Sequence, residues 1–216
     1  MSEARGRLVA AFDFDGTITR KDTLVPFLRR FRGLPRFAGA FVQALPGALS
    51  GPDRRETYKA AVFHQLLRGV PAEDLTAAAL DYGRQLPAQF RPATVERIRW
   101  HQDEGHEVVI VSASLRAYLD PVVEHLGLDG VCAVELEVAD DGRLTGRMAG
   151  PNCRGAEKVV RLTDWLGGDS PERLWAYGNS SGDHALLEMA DHAFWRGRPA
   201  KLPPGSRQFG PGPLEP

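Results

Sequence analysis

Three short apolar runs along the chain each end at polar or acidic residues. They are Leu8–Phe12, Val108–Val111 and Leu174–Tyr177. Because they lack the alternation of a half-exposed strand and are too short for most helices, they predict strands buried in a parallel sheet. The carboxyl ends of such strands lie at one edge of an open α/β sheet, where ligands bind. The residues that follow the three runs are therefore candidates for a functional site.

The segment between the first two runs has helical rather than strand periodicity. Residues 21–89 contain no convincing strand, but apolar residues recur there at helical spacing. One such pattern comprises Tyr58, Ala61, Val62, Gln65 and Leu66. An insertion of this kind predicts a helical cap over the edge of the sheet that holds the site.

Capping and turn residues mark several of the remaining elements. Gly127 is typical of the C′ position and ends a helix predicted over Tyr118–Leu126. The Asp-Asp-Gly sequence at 140–142 is typical of a turn and predicts a short hairpin. The other predicted elements are helices near Pro92–Trp100 and after Gly155, and strands at Val131–Val138 and His192–Trp195.

The order of these elements predicts an α/β fold, with a Rossmann-like parallel sheet as its core and an inserted helical cap. The core comprises residues 1–19 and 90–198, and the cap comprises residues 20–89. The stretch 199–216 is rich in proline and glycine, so it is predicted to be a flexible, poorly ordered tail.

Composition narrows the class of protein. A chain of 216 residues that is 43% hydrophobic can bury a substantial core. The formal net charge of -1 gives no electrostatic reason to expect nucleic acid as a partner. No uncharged apolar stretch has the length of a membrane span, and no secretory signal is recognisable. Cys132 and Cys153 form neither a disulfide framework nor a metal cluster, so a cytoplasmic protein is predicted.

The first run leads directly into Asp13-Phe14-Asp15-Gly16-Thr17. Asp13 and Asp15, two positions apart, point the same way from an extended backbone, so their charges repel unless a cation lies between them or one is protonated. Mg²⁺ suits such a site. An Asp-Gly turn after a strand is also common, and the pentapeptide alone does not decide between the two interpretations.

Polar residues recur after the other two runs. Ser112-Ala113-Ser114 follows the second, and Gly178-Asn179-Ser180-Ser181-Gly182-Asp183 follows the third. Lys158 lies in the helical pattern between them. Each of these segments delivers a small, polar or charged group to the same edge of the predicted sheet.

In these motifs the chain resembles the haloacid dehalogenase superfamily of phosphohydrolases, subfamily IB, in the branch that contains phosphoserine phosphatases. The resemblance extends to about Arg198. The family's fourth motif, Gly-Asp-x-x-x-Asp, is matched with one departure, since asparagine replaces the first aspartate. The residues that match the four motifs are Asp13, Asp15 and Thr17; Ser112; Lys158; and Gly178, Asn179 and Asp183.

The resemblance implies a Mg²⁺-dependent phosphomonoesterase that acts on a small phosphorylated substrate. Asp13 would be the nucleophile that forms an aspartyl-phosphate, and Asp15 the general acid and base. Asp13, Asp15, Asn179 and Asp183 would hold the metal. Ser112, the backbone of Ala113, and Lys158 would bind the phosphate.

Each assignment has a plainer alternative. Ser112 could cap the following helix. Lys158 could be a solvated helix lysine, with Lys59 of the cap as its competitor, and Asp183 could be a carboxylate at a helix start. Asn179 brings no negative charge and weakens the metal site, which leaves open a phosphate-binding protein without turnover. Asp22 stands where phosphoserine phosphatases carry glutamate, which weakens the case for phosphoserine.

The cap contains a basic amphipathic segment between Phe27 and Leu49. Its apolar residues are interspersed with Arg29, Arg30, Arg32 and Arg36. Such a segment can lie on a membrane surface or bind an acyl chain, which suggests a lipid or lysolipid phosphate phosphatase. The favoured interpretation is that the apolar face forms the core of the cap while the arginines face solvent.

Overall fold

The computed structural model describes residues 6–46 and 54–210. Within these ranges the strands of the main sheet are β1 (Leu8–Phe12), β2 (Glu107–Leu115), β3 (Gly130–Val134), β6 (Arg173–Gly178), β7 (His192–Trp195) and β8 (Arg207–Gln208). Their order in the sheet is β3-β2-β1-β6-β7-β8, and all the pairings are parallel.

The three apolar runs form the three central strands, as predicted. β1 lies between β2 and β6, with Ala10 opposite both Val108 and Trp175. The four residues after Leu8, from Val9 to Phe12, are buried, so both faces of the strand are covered there. This explains why the run shows no alternation. The prediction of an α/β fold with a parallel core is confirmed.

Helices cover the sheet and fill the insertion after β1. Four of them, α1 (Leu24–Arg32), α2 (Leu34–Gln43), α3 (Arg54–Leu67) and α4 (Ala72–Gln85), lie between β1 and the helix that precedes β2. Thr19 and Phe90 pair at the two ends of this insertion. The division into core and cap at residues 19 and 90 stays a prediction. The core helices are α5 (Pro92–Asp103), α6 (Arg116–Leu126), α7 (Ala156–Trp165) and α8 (His184–Met189).

The single strand predicted over Val131–Val138 is wrong in its extent. β3 ends at Val134, and β4 (Leu136–Val138) pairs antiparallel with β5 (Leu144–Met148). The predicted hairpin is therefore present, but its first strand leaves the parallel sheet. The hairpin lies close to the cap, because a Cβ on Gly146 would come within 2.9 Å of the His64 Cα in α3.

The prediction of a poorly ordered tail is wrong for residues 199–210. A 3-10 turn spans Pro199–Lys201 and β8 extends the sheet beside β7. Phe209 is buried, with its ring 5.2 Å from that of Tyr177 and 6.2 Å from that of Phe194. One aromatic side chain therefore anchors a segment whose composition alone suggested disorder. Residues 211–216 lie outside the described residues.

The amphipathic cap segment is only partly covered. Phe27 and Leu28 of α1 are buried, as the favoured interpretation requires. Leu34, Val42 and Leu45 remain 63%, 64% and 52% exposed, and Leu49 lies outside the described residues. Among residues 6–46 and 54–210, no helix combines the length and the apolar character needed to cross a bilayer.

Candidate active site

The ends of the central strands meet at one cavity of about 440 Å³. β1 leads into Asp13, β2 carries Ser112 near its end, and β6 leads into Asn179. All seven residues predicted from the sequence line this cavity: Asp13, Asp15, Ser112, Ala113, Lys158, Asn179 and Asp183.

Lys158 binds two of the predicted carboxylates at once. Its Nζ donates to Asp13 Oδ1 at 2.7 Å, to Asp183 Oδ1 at 2.6 Å and to the carbonyl oxygen of Val111 at 2.6 Å. The residue is only 2% exposed, so the interpretation as a solvated helix lysine is wrong. The first turn of α7 thus places a fully bonded ammonium group beside Asp13.

The charges of this cluster are strongly coupled. Burial, reinforced by the nearby charge of Asp183, raises the pKa of Asp13 to about 7 despite the opposing effect of Lys158. Burial also disfavours ionised Asp183, but the charge of Lys158 and four hydrogen bonds hold the pKa of Asp183 below its ordinary value. Burial also disfavours the charged form of Lys158, but the two aspartates outweigh the effect of burial and raise the pKa of Lys158. The two carboxylates therefore favour the charged form of Lys158.

Asp15 is held by residues of the cap and of β2. Its Oδ1 accepts hydrogen bonds from the backbone N–H and the hydroxyl of Thr23, at 2.8 and 2.7 Å. Its Oδ2 accepts a short hydrogen bond from the hydroxyl of Ser114. Burial raises the pKa of Asp15 to about 6, and these hydrogen bonds limit the rise. Both protonation states of Asp15 are therefore accessible near neutral pH, as a proton-transfer group requires.

Ser112 lies near the carboxyl end of β2. The residue is buried, and its Oγ accepts a hydrogen bond from the backbone N–H of Ser114 at 3.1 Å. The following helix α6 has Leu115 at its N-cap, so the interpretation of Ser112 as that helix cap is wrong. The pairing register of β2 with β3 shifts between Val111 and Leu115, so the residues between these two positions do not pair regularly with β3.

Asp183 organises the loop after β6. Its Oδ2 accepts hydrogen bonds from the backbone N–H of Asn179 and of Ser180 and from the Ser180 hydroxyl, at 2.9 to 3.1 Å. Oδ1 is bound to Lys158, and the residue is 1% exposed. Both oxygens are thus engaged within the protein. These contacts position Lys158 and the loop, and direct binding of a metal by Asp183 stays a prediction.

Asn179 lies against the first motif. A Cβ on Gly16 would overlap the amide nitrogen of Asn179, so the amide packs directly over the glycine turn that follows Asp15. The contact requires glycine there, where φ is +84°. This position brings the Asn179 amide beside Asp13 and Asp15 in the same cavity.

The oxygen donors at this edge fit Mg²⁺. The Asp13 carboxylate, the Asp15 carbonyl and the Asn179 amide oxygen are hard ligands of the kind that Mg²⁺ prefers. Asp13 Oδ2 has one weak partner, the Thr17 hydroxyl at 3.2 Å. No group of three or more His, Cys, Asp or Glu able to hold a metal occurs in the described ranges. One carboxylate with neutral carbonyls suits an ion that keeps several waters.

Several residues of the cavity were missed by sequence reasoning. Arg20, Lys21 and Arg154 line it and supply positive charge for an anionic substrate. Asp22, which stands where phosphoserine phosphatases carry glutamate, accepts a hydrogen bond from the backbone N–H of Val25 at 3.0 Å. The Asp22 carboxylate therefore caps α1 as well as facing the cavity.

Lys59 links the cap to the loop that carries Ala113. Its Nζ donates to the carbonyl oxygen of Ala113 at 2.7 Å and to Asn152 Oδ1 at 2.6 Å. Burial lowers the pKa of Lys59 to about 8, partly offset by Glu56. Lys59 therefore does not replace Lys158 beside Asp13, and instead joins α3 to the phosphate-binding loop proposed from the sequence.

Residues 10–188 match the family model of haloacid dehalogenase-like hydrolases, and the chain belongs to this family. Within the family it is 37% identical to protein CicA of Caulobacter vibrioides over 200 residues, which is 89% of each chain. It is 28% identical to a phosphoserine phosphatase of Halobacterium salinarum over 188 residues, covering 86% of this chain and 83% of the relative. A protein of unknown function from Bordetella pertussis Tohama I has a similar structure, with a TM-score of 0.73 and 24% identity, covering 90% of this chain and 92% of that chain.

Proposed function

We propose that this hydrolase is a Mg²⁺-dependent phosphomonoesterase that acts on a small phosphorylated substrate in the cytoplasm. The observation that carries the proposal is the pairing of Asp13 with Lys158 at the floor of a cavity in which Asp15 is separately held by Thr23 and Ser114. Two carboxylates with different partners can take different roles in one reaction.

In the first half-reaction, Asp13 attacks phosphorus. A bond forms between a carboxylate oxygen of Asp13 and the phosphorus, while the bond from phosphorus to the leaving oxygen breaks. Asp15 donates its proton to that leaving oxygen. Lys158 fixes the orientation of Asp13 through the 2.7 Å hydrogen bond and brings positive charge next to the developing negative charge.

In the second half-reaction, water releases the phosphate. Asp15, now ionised, takes a proton from a water molecule that attacks the phosphorus of the aspartyl-phosphate. The bond to Asp13 breaks, so inorganic phosphate leaves and both carboxyl groups return to their starting states. Splitting the reaction in this way replaces one difficult step with two easier ones.

The remaining site residues hold the phosphoryl group. Ser112 and the backbone N–H of Ala113 line the cavity, where they would bind its oxygens. The Lys158 ammonium, whose three N–H groups are already bonded, would supply positive charge beside them. Asp13, the carbonyl of Asp15, and Asn179 would hold Mg²⁺, which when bound neutralises phosphoryl charge. Asp183 keeps Lys158 and the Asn179 loop in place through its four hydrogen bonds.

Hydrolysis of p-nitrophenyl phosphate with Mg²⁺ tests the proposal. Asp13→Asn is expected to lower kcat by more than about a thousandfold while the fold persists, because the change is nearly isosteric and removes the attacking charge. Asp103→Asn, an exposed aspartate on α5, is the matched control and should retain activity. Hydrolysis by Asp13→Asn at a rate near that of the wild type would contradict the assignment.

A lipid phosphate is a second candidate substrate class. The exposed side chains of Leu34, Val42 and Leu45, on and just after α2, favour it, since exposed apolar residues of the cap can contact an acyl chain. Rates on phosphoserine and on a lysophosphatidic acid, each measured below its KM, separate the two classes. A preference for the lysolipid that disappears in Leu34→Ser/Val42→Ser would favour the lipid substrate, and a preference for phosphoserine would exclude it.

A further inference from the structure

A second cavity, of about 760 Å³, adjoins the candidate active site. Asn179 and Ser180 line both cavities, so the loop after β6 forms part of the wall of each. The far wall of the second cavity is the C-terminal segment around Pro199–Lys201, together with α8. A substrate bound at Asp13 would reach this space if its leaving portion passed along the loop after β6.

The walls of the second cavity carry more positive than negative charge. Arg198 and Lys201 line it from the C-terminal segment, and Arg55 lines it from the cap. Glu188 is its one carboxylate among the described residues. In the described part of the chain, the side chains of Arg198 and Lys201 form no hydrogen bond or ion pair with another residue. Two exposed cations that are not neutralised within the protein suit an anionic ligand.

The turn that carries Arg198 is fixed by the core. Trp195 is almost fully buried, and its Nε1 donates to the carbonyl oxygen of Arg198 at 3.1 Å. Gly197 lies so close to the Trp195 ring that a Cβ there would overlap it. The backbone N–H of Phe209 donates to the carbonyl oxygen of Trp195 at 2.7 Å, which closes the segment back onto β7. Arg198 therefore occupies a defined position beside the cavity.

We propose that the second cavity is a subsite for an anionic group on the leaving portion of the substrate. The preferred substrates are then phosphomonoesters that carry a second phosphoryl or carboxylate group, separated from the scissile phosphate by a linker that passes Asn179. This inference rests on the proposed function, because it places the scissile phosphate at Asp13. It also gives the ordered C-terminal segment a role in substrate selection.

Matched pairs of substrates test the subsite. Alkyl monophosphates are compared with α,ω-alkanediol bisphosphates of the same chain length, and with the ω-carboxyalkyl phosphates, by kcat/KM. The wild type is expected to prefer the members with a second anionic group by about tenfold or more at the chain length that spans the two cavities. Arg198→Ala/Lys201→Ala should abolish the preference and leave kcat/KM for alkyl monophosphates unchanged. A larger gain for the bisphosphates indicates a phosphoryl ligand in the subsite, and a larger gain for the carboxyalkyl phosphates indicates a carboxylate ligand.

Two further variants test whether the preference depends on charge at the second cavity. Arg207→Ala removes an exposed charge from the same segment at a position that does not line the cavity, so it should keep the preference. Glu188→Gln removes the opposing charge and should increase the preference. A wild type that does not distinguish the paired substrates at any length, or a preference that survives in Arg198→Ala/Lys201→Ala, would overturn the proposal.

A binding measurement tests the subsite independently of whether the protein hydrolyses the ligand. Calorimetric titration of Asp13→Asn with a non-hydrolysable α,ω-alkane bisphosphonate and with the matching alkyl monophosphonate reports the second contact without any reaction. Tighter binding of the bisphosphonate, lost in the added Arg198→Ala/Lys201→Ala changes, supports the subsite even if no hydrolysis is found. Equal affinities in a protein whose melting curve matches the wild type would contradict the subsite alone.

Discussion

At the scale of single residues, Asn179 is the most informative departure from the family's motif. Its neutral amide contributes a carbonyl oxygen but no charge, and it packs on Gly16 next to Asp13 and Asp15. The acidic residue of the same loop, Asp183, is occupied by Lys158 and the loop backbone. The metal ligands proposed here therefore include one carboxylate, so metal affinity should be sensitive to charge at position 179.

Asn179→Asp is expected to change the response of stability to Mg²⁺. In chelator, the added carboxylate repels Asp13 and lowers the melting temperature, whereas with Mg²⁺ it strengthens ion binding and raises it. Thermal melts with Mg²⁺ and with chelator should thus show a larger metal-dependent shift than in the wild type. Gln65→Glu, an exposed amide-to-acid change on α3, controls for the added charge. Equal shifts in Asn179→Asp and wild type would mean that Asn179 does not contact the ion.

The glycine beneath Asn179 gives a second residue-scale prediction. Gly16→Ala introduces a Cβ at a positive φ and into the Asn179 amide, so it should displace that amide. Gly105 has a similar positive φ, and a Cβ there would meet nothing within 4 Å. Gly105→Ala therefore isolates the backbone cost, which is about 1 kcal/mol. Both variants should lose stability in denaturant titrations. The half-saturating Mg²⁺ concentration for hydrolysis should rise in Gly16→Ala only, and an unchanged value would remove Asn179 from the metal site.

At the scale of elements, the C-terminal segment completes the sheet. β8 pairs with β7 through Phe194 and Trp195, and Phe209 packs against the rings of Phe194 and Tyr177. Burial of this side chain and the pairing of β8 with β7 both oppose the conformational entropy cost of ordering the segment. The same packing positions Arg198 and Lys201 at the second cavity.

Phe209→Ala is expected to destabilise the protein by about 3 kcal/mol, because a buried aromatic ring is removed from a packed site. The free energy of unfolding from denaturant titration measures the loss. Leu202→Ala, at an exposed position of the same segment, should change it little. A loss below about 1 kcal/mol for Phe209→Ala would show that the segment contributes little to the core.

The sequence predicted the elements whose signals are local. The three apolar runs identified β1, β2 and β6, and Gly127, in the left-handed conformation, ends α6 as predicted. The prediction over Val131–Val138 was wrong because no breaker residue marks the point where β4 leaves the sheet. β8 was missed because its stability comes from contacts with distant residues, which composition does not reveal.

The candidate site shows the same division between local and distant signals. The seven predicted residues line one cavity. They could be predicted because their motifs follow apolar strands that are recognisable in the sequence. Thr23 and Ser114, which bind Asp15, carry no motif of their own. Ser114 could have been found from its position two residues after Ser112 on the same strand, since alternate residues share a face. The role of Asp183 as a partner of Lys158 depends on tertiary contacts that spacing does not encode.

At the scale of the whole molecule, the site exists only where the cap and the core meet. Thr23 at the start of α1 binds Asp15, and Lys59 of α3 binds the carbonyl oxygen of Ala113. These contacts tie the helical insertion to the first motif and to the loop after β2. A change in the position of the cap would therefore alter the surroundings of both Asp15 and the loop after β2 at once.

Attack by Asp13 on phosphorus is tested most directly by trapping the phosphorylated protein. The enzyme is mixed with p-nitrophenyl phosphate and Mg²⁺, quenched in acid during turnover, digested, and analysed by mass spectrometry. The expected result is one phosphoryl group, carried by Asp13 in the wild type and lost in Asp13→Asn. A phosphoryl group on another residue, or turnover with no trapped phosphoprotein under conditions that preserve acyl phosphates, would contradict Asp13 as the nucleophile.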